Sequence, residues 1–223
     1  MGGALDHPGN TSPVAEFNCY ADPYAASMML DAVKEGQFHM ILAPLDITTP
    51  HQIPFSDLIH SSYPDNPDPS LTPLQHLTSA MLGRVRGLQE SFGLPDAMEM
   101  HDPVAVWYAI AHAHLPADQY NEAENVVGGQ EGWVVKPRQF KVERTGELTR
   151  GMCVIDRRGG GDGTGETRTE DKELADNHIP GAKRDRDGSE IKQSKKDAKI
   201  ITATPGSEVL RKFLMKRVFG VDV

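Results

Sequence analysis

The chain has 223 residues, a formal charge of −9 and 38% apolar residues, enough for one domain with a substantial core. No apolar run approaches the ~20 residues needed to cross a bilayer, and the acidic balance argues against nonspecific binding to nucleic acid or to an anionic membrane surface. The opening residues carry neither a basic nor an apolar leader segment, and the two cysteines, Cys19 and Cys153, form no disulfide framework and no zinc pattern. Both are expected to be buried, inert thiols in a reducing, cytoplasmic compartment.

In chain order, residues 1–13 are rich in glycine and proline and read as turns. Residues 14–18 lead to Asp22 and Pro23, a helix cap and a first-turn proline. The spacing of Ala25, Met28, Met29 and Ala32 predicts a helix to about Lys34, which Gly36 can end. Residues 40–47 read as a buried strand. The proline-rich stretch 61–73 is a loop. Leu77, Met81, Val85 and Leu88 give residues 74–92 helical spacing. Asp102 as cap and Pro103 at the first position open a helix over 104–114. Residues 133–144 and 151–157 read as two strands turned at Thr145 and Gly146. A strand over 200–203 and a helix over 208–218 close the chain. Residues 159–199 are rich in glycine and charge and read as a solvated, disordered insertion. Its lysines Lys192, Lys195 and Lys196 are either a linker or an interaction patch. Helices alternating with strands and interrupted by a hairpin predict an α/β fold with a mixed, mainly parallel open sheet and flanking helices.

Few residues carry a chemical signal. If residues 14–18 are extended, Glu16 and Asn18 share one face and Phe17 turns to the core. A carboxylate and an amide on one face suit sugar hydroxyls; an ordinary polar loop before a helix fits the spacing as well. His101 and Asp102 stand at a helix start. Asp102 reads as the cap of that helix and also as a metal ligand with His101 beside it as a proton donor, and the two readings are compatible. His112 and His114 are two apart on a helix and make a poor metal pair. Asp65 and Asp68 lack the glycine and distal glutamate of a calcium loop, and Gly2, Gly3 and Gly9 form no phosphate-cradling loop.

Taken in order, Met1-Gly2-Gly3-Ala4, Pro8-Gly9-Asn10-Thr11, Ala15-Glu16-Phe17-Asn18, Asp22-Pro23-Tyr24-Ala25-Ala26 and His101-Asp102-Pro103-Val104 resemble the inosine-uridine preferring nucleoside hydrolase family. The resemblance covers most of residues 1–157 and 199–219. It implies that Asn10, Glu16 and Asn18 hold ribose hydroxyls, that Asp102 ligates calcium and touches the ribose, and that His101 protonates the leaving base. It further implies a calcium-activated water that attacks the anomeric carbon through an oxocarbenium-like transition state. The family opens with an aspartate cluster that supplies most calcium ligands and the base, and no such cluster occurs in this sequence. The chain therefore resembles the C-terminal half of the family's domain, with an incomplete Ca2+ site. A fragment, a truncated gene model and a product that needs a partner half all fit. The implied partners are a nucleoside substrate and either a homo-oligomer or the missing N-terminal half, with no nucleic acid and no membrane. A catalytically inactive ribose-binding or interaction module is the alternative.

Overall fold

The computed structural model describes residues 1–113, 132–157 and 197–222. His114, and all of the 159–199 stretch except its last three residues, lie outside the described residues. The chain forms two compact units. One comprises Met1, Ala43–Val134 and Thr202–Val223; the other comprises Gly2–Leu42 and Val135–Ile201.

In the unit that begins at Gly2, two helices follow the turn-rich segment: α1, Phe17–Ala21, and α2, Pro23–Lys34. Asp22 caps α2 by accepting from the Ala25 N–H at 2.9 Å, with Pro23 in the first turn, as the sequence predicts. The helix is where the spacing puts it, but its buried face is not. Leu30 and Val33 are buried, whereas Met28 is 71% exposed and Met29 is also exposed. The expected strand over 40–47 shortens to β1, Ile41–Leu42, because Pro44 leads directly into the short helix α3, Leu45–Thr48, which lies in the other unit. The expected strand over 133–144 splits into β4, Val134–Pro137, and β5, Lys141–Val142; β5 pairs antiparallel with β6, Cys153–Val154. The last strand, β7, Lys199–Ala203, starts one residue earlier than its spacing suggests. A three-stranded sheet has the order β1-β7-β4, with β1 and β7 parallel. The core of this unit gathers Leu5, Cys19, Leu30, Phe140, Val142, Cys153 and Ile200. Asp6 accepts ion pairs from Arg138 and Arg157, and the hydrogen bond from Arg138 holds its carboxyl below the usual range.

In the other unit, α3 precedes an antiparallel pair that the sequence reading misses: β2, Gln52–Pro54, and β3, Ala97–Glu99. Between them come α4, Phe55–Leu58, and α5, Pro73–Ser91. Thr72 and Gln75 close a capping box at the start of α5. The helix is as predicted, but its apolar stripe faces outward. Leu77 is 56% and Met81 62% exposed, while Ser79 is the buried residue. The packing partners, not the periodicity, decide which face turns in. Helix α6, His101–His112, starts three residues before the expected position. The closing helix α7 is Ser207–Leu214, continued by a π-helical turn over Met215–Phe219. An aromatic cluster forms the centre of this unit. Trp107 and Trp133 meet edge to face at 4.7 Å, Tyr108 stacks on His112 at 4.0 Å, and all four are buried. Each such ring pair contributes about 0.5–1.5 kcal/mol beyond its buried area. The α/β class with open, mixed sheets is as the sequence predicts. Among the described residues no helix is long and apolar enough to cross a membrane.

Candidate active site

Asn10, Glu16 and Asn18 come together in the unit that begins at Gly2. The turn holding Asn10 is tight: the Gly9 N–H donates to Pro13 at 3.1 Å, and the Thr11 N–H donates to Ala15 at 3.2 Å. A Cβ on Gly9 would collide with the backbone of Ser12 and Ala15. The turn therefore demands glycine and fixes the residue that follows it. The Asn10 side-chain oxygen accepts from the Phe17 N–H at 3.0 Å. Glu16 caps α1. Its Oε1 accepts from the Asn18 N–H at 2.8 Å, and its Oε2 accepts from the Cys19 N–H at 3.3 Å and the Gly3 N–H at 2.8 Å. Asn10 and Glu16 thus satisfy the first three amides of the helix, which would otherwise lack partners.

This arrangement corrects the expectation of an extended segment. Glu16 is 1% exposed and Phe17 is 59% exposed, the reverse of a strand with Phe17 turned inward. Capping wins because Glu16 finds three amide donors at once. A carboxylate offers about four acceptor sites, so the three amides leave about one over. Asn10 and Asn18 are both exposed. Gly2 lies against this pair: a Cβ there would sit 3.4 Å from Glu16 Oε2 and 3.8 Å from Asn18 Cβ.

His101 and Asp102 lie in the other unit. Met100, not Asp102, is the cap residue of α6, and it makes no side-chain cap bond. Asp102 is exposed in the first helical turn, where the positive end of the helix dipole favours a carboxylate. The capping reading of Asp102 is thereby overturned. His101 is held on both sides of its ring. Nδ1 is 2.9 Å from the Thr48 hydroxyl, and Nε2 is 2.9 Å from Glu99 Oε2. The sequence reading misses both partners. Glu99 has a weak signal, a carboxylate two residues ahead of a histidine at a strand-to-helix junction; Thr48, 53 residues away, has none. His112 is buried, with its Nδ1 2.7 Å from the Tyr108 carbonyl.

Calcium takes about six to eight oxygen ligands. Among the described residues, no three His, Cys, Asp or Glu side chains cluster as a metal group. Asp102 alone does not fit the ion. Two surface cavities, of about 570 and 300 Å³, are lined by α5 with the residues after it and by α4 with the C-terminal turn. None of the candidate residues lines either.

The sequence profile of the inosine-uridine preferring nucleoside hydrolases matches residues 1–203. Similar proteins include the pyrimidine-specific ribonucleoside hydrolase RihA of Salmonella arizonae, 30% identical over 156 residues, with 70% of this chain and 41% of that protein covered. An uncharacterised Schizosaccharomyces pombe protein is 28% identical over 165 residues with the same coverage. A plant nucleoside hydrolase structure superposes with a TM-score of 0.59 at 17% identity, covering 97% of this chain and 51% of that one. A purine-preferring ribonucleoside hydrolase from Gardnerella vaginalis gives 0.57 at 17% identity, covering 97% and 50%. At that identity the likeness shows a common fold. The chain spans 41% of the length of these curated relatives.

Proposed function

Because the chain belongs to the inosine-uridine preferring nucleoside hydrolase family, we propose that it serves in hydrolysis of the N-glycosidic bond of ribonucleosides, releasing ribose and free base. The profile match over residues 1–203 carries this reading. In it, Asn10 and Asn18 offer amide groups to the ribose hydroxyls, and Glu16 accepts one hydroxyl on the acceptor site its amide bonds leave over. Asp102 touches the ribose and would contribute one ligand to the family's calcium, a site that the described residues alone do not complete. His101 gives a proton to the departing base, which leaves more easily once a ring atom is protonated. Cytoplasmic placement belongs to the same proposal. Relatives named for both pyrimidine and purine preference align with the chain, so inosine and uridine are both needed as test substrates.

A second reading is a ribose-binding module without turnover. The lack of any three-residue metal cluster among the described residues favours it. One experiment separates the two. The purified chain is titrated with inosine and uridine by saturation-transfer NMR. Ribose release is then measured with calcium, with and without an aspartate-rich N-terminal segment taken from a relative. Saturation transfer to the ribose protons that disappears in Asn18→Ala, with release only when that segment is present, supports the hydrolase. Ribose binding without release in either sample supports the module. Absence of ribose binding in the wild type rejects both.

A further inference from the structure

We infer that Glu99 and Thr48 are positioning residues for His101: they select one tautomer and leave Nε2 as the nitrogen that meets the leaving base. The inference rests on the assignment of His101 as leaving-group acid, and it is carried by the geometry on the two sides of the ring.

Glu99 Oε2 lies 2.9 Å from Nε2. A carboxylate only accepts, so the hydrogen between the two atoms is carried by Nε2. The neutral ring then has Nδ1 as its acceptor, and the Thr48 hydroxyl, 2.9 Å away, must donate to it. In the neutral ring only this arrangement of protons satisfies both hydrogen bonds; in the imidazolium the Nδ1–H donates to the Thr48 oxygen instead. The two sides also differ in access. Thr48 is fully buried, so the Nδ1 side is sealed. The side chains of His101 and Glu99 are 24% and 37% exposed, so the Nε2 side opens to solvent and to any ligand. The fold places the three groups independently of one another. Thr48 ends α3, Glu99 ends β3 opposite Gln52 of β2, and His101 starts α6. Only Met100 separates the last two, and its N–H is tied to the His51 carbonyl at 2.8 Å. The junction is thus anchored where it must present a histidine between a carboxylate and a hydroxyl. Histidine tautomers are set in this way by the partner of the opposite nitrogen.

Proton transfer to a base starts from the imidazolium: Nε2 gives up its hydrogen to the base, which takes the place of Glu99, while the Nδ1 hydrogen stays and is donated to the Thr48 hydroxyl oxygen, which turns from donor to acceptor. In the free chain Glu99 therefore keeps the ring oriented; with substrate bound it yields its place, while Thr48 keeps the ring from turning over.

The test reads the ring directly and needs no turnover, so its outcome is separable from that of the hydrolase assignment. The whole chain is labelled with ring-¹⁵N histidine, and its spectrum is recorded above pH 8. His101 is identified by the signal that vanishes in His101→Gln. The expected wild-type ring is protonated on Nε2 and hydrogen-bonded at Nδ1. Thr48→Val should lose the Nδ1 hydrogen-bond shift while Nε2 keeps its proton, and Thr48→Ser should restore the wild-type signal. Glu99→Ala should raise the exchange of the Nε2 proton with water by about tenfold or more. Unchanged signals from the remaining histidines show that the variants fold. A wild-type ring protonated on Nδ1 or on both nitrogens overturns the inference, as does a Thr48→Val spectrum identical to wild type at His101. Where turnover is obtained, Glu99→Gln should lower kcat with KM little changed. A raised KM at unchanged kcat would show that Glu99 binds substrate instead.

Discussion

Glu16 is fixed by amides no more than 13 residues away in sequence, whereas His101 takes its hydroxyl partner from 53 residues upstream. In the segment around Glu16 a side chain organises the backbone: one carboxylate collects three N–H groups and starts a helix. Around His101 the backbone organises a side chain, because a strand end and a helix end deliver two separate groups to a ring at a helix start. The first kind of site needs a few consecutive residues to be right. The second needs the fold. The two should therefore fail differently when altered.

The largest effect is expected at His101. In a preparation that hydrolyses inosine, His101→Ala should lower kcat by ~10²–10⁴-fold with KM much less changed, the range for loss of a general acid. A p-nitrophenyl riboside, whose phenolate leaves without a proton, should be affected far less. Equal slowing of both substrates would reduce His101 to a structural residue. Asn18→Ala is expected to impair both substrates, because both require the ribose to be held.

Glu16→Ala breaks the comparison from the other side. It removes a helix cap, at ~0.5–2 kcal/mol, and strands a buried amide, at ~1–3 kcal/mol. Urea unfolding followed by far-UV circular dichroism should show a loss of about 1.5–5 kcal/mol, the sum of those two effects. A loss below ~0.5 kcal/mol, the size of an ordinary surface substitution, would mean that the carboxylate is not what holds this segment.

These contrasts explain what the sequence can tell. The Asp22 cap and the helices α2 and α5 are legible, since each rests on neighbouring residues, whereas α1, α3, β2 and β3 are not. The faces of α2 and α5 are not, because apolar spacing identifies a stripe without saying what covers it. Met28 and Met81, both members of their stripes, are mostly exposed. Within the candidate site, Asn10, Glu16, Asn18, His101 and Asp102 are reached through family resemblance. The conformation around Glu16 escapes the sequence, because an alternating pattern and a capped helix start can share the same residues. Glu99 leaves a weak trace two residues ahead of His101, and Thr48 becomes visible only where α3 meets α6.

Cys19 and Cys153 are a further case. They stand 134 positions apart and give no signal as a pair, yet each thiol lies within 4 Å of where a Cβ on Gly3 would be, at 3.9 and 3.1 Å. The hydrogen bond to Cys153, and then burial, push the Cys19 thiol far above its ordinary range. The thiolate is the reactive form, so iodoacetamide at pH 8 should label Cys19 at least about tenfold more slowly in the native protein than in urea. Labelling at equal rates would show that the thiol is neither buried nor paired.

The smallest expected effect concerns His51 in the unit that holds His101. Burial lowers its affinity for a proton below the ordinary 6.5, and its two nitrogens are engaged by the Ile47 carbonyl and the Thr204 hydroxyl, both at 2.8 Å. The unfolded chain then binds the proton more readily than the folded one, so stability is lost as pH falls below 6.5 toward the depressed folded value. A small decline of Tm between pH 7 and 5, absent in His51→Asn, is expected. A slope that survives the substitution must come from another group.

The aromatic cluster has an optical consequence. The chain holds two tryptophans, Trp107 and Trp133, and both lie buried within 4.7 Å of each other in the unit of His101. Indole emission excited at the red edge therefore reports from that unit alone. The segment built around Glu16 contributes only tyrosines, Tyr20 and Tyr24, and is dark at those wavelengths. A melt of Glu16→Ala followed by emission would register the unit of the indoles and stay blind to a local loosening of α1, while the dichroism signal of the same sample would record both. The distance between the two curves is a direct gauge of how independently the two units come apart.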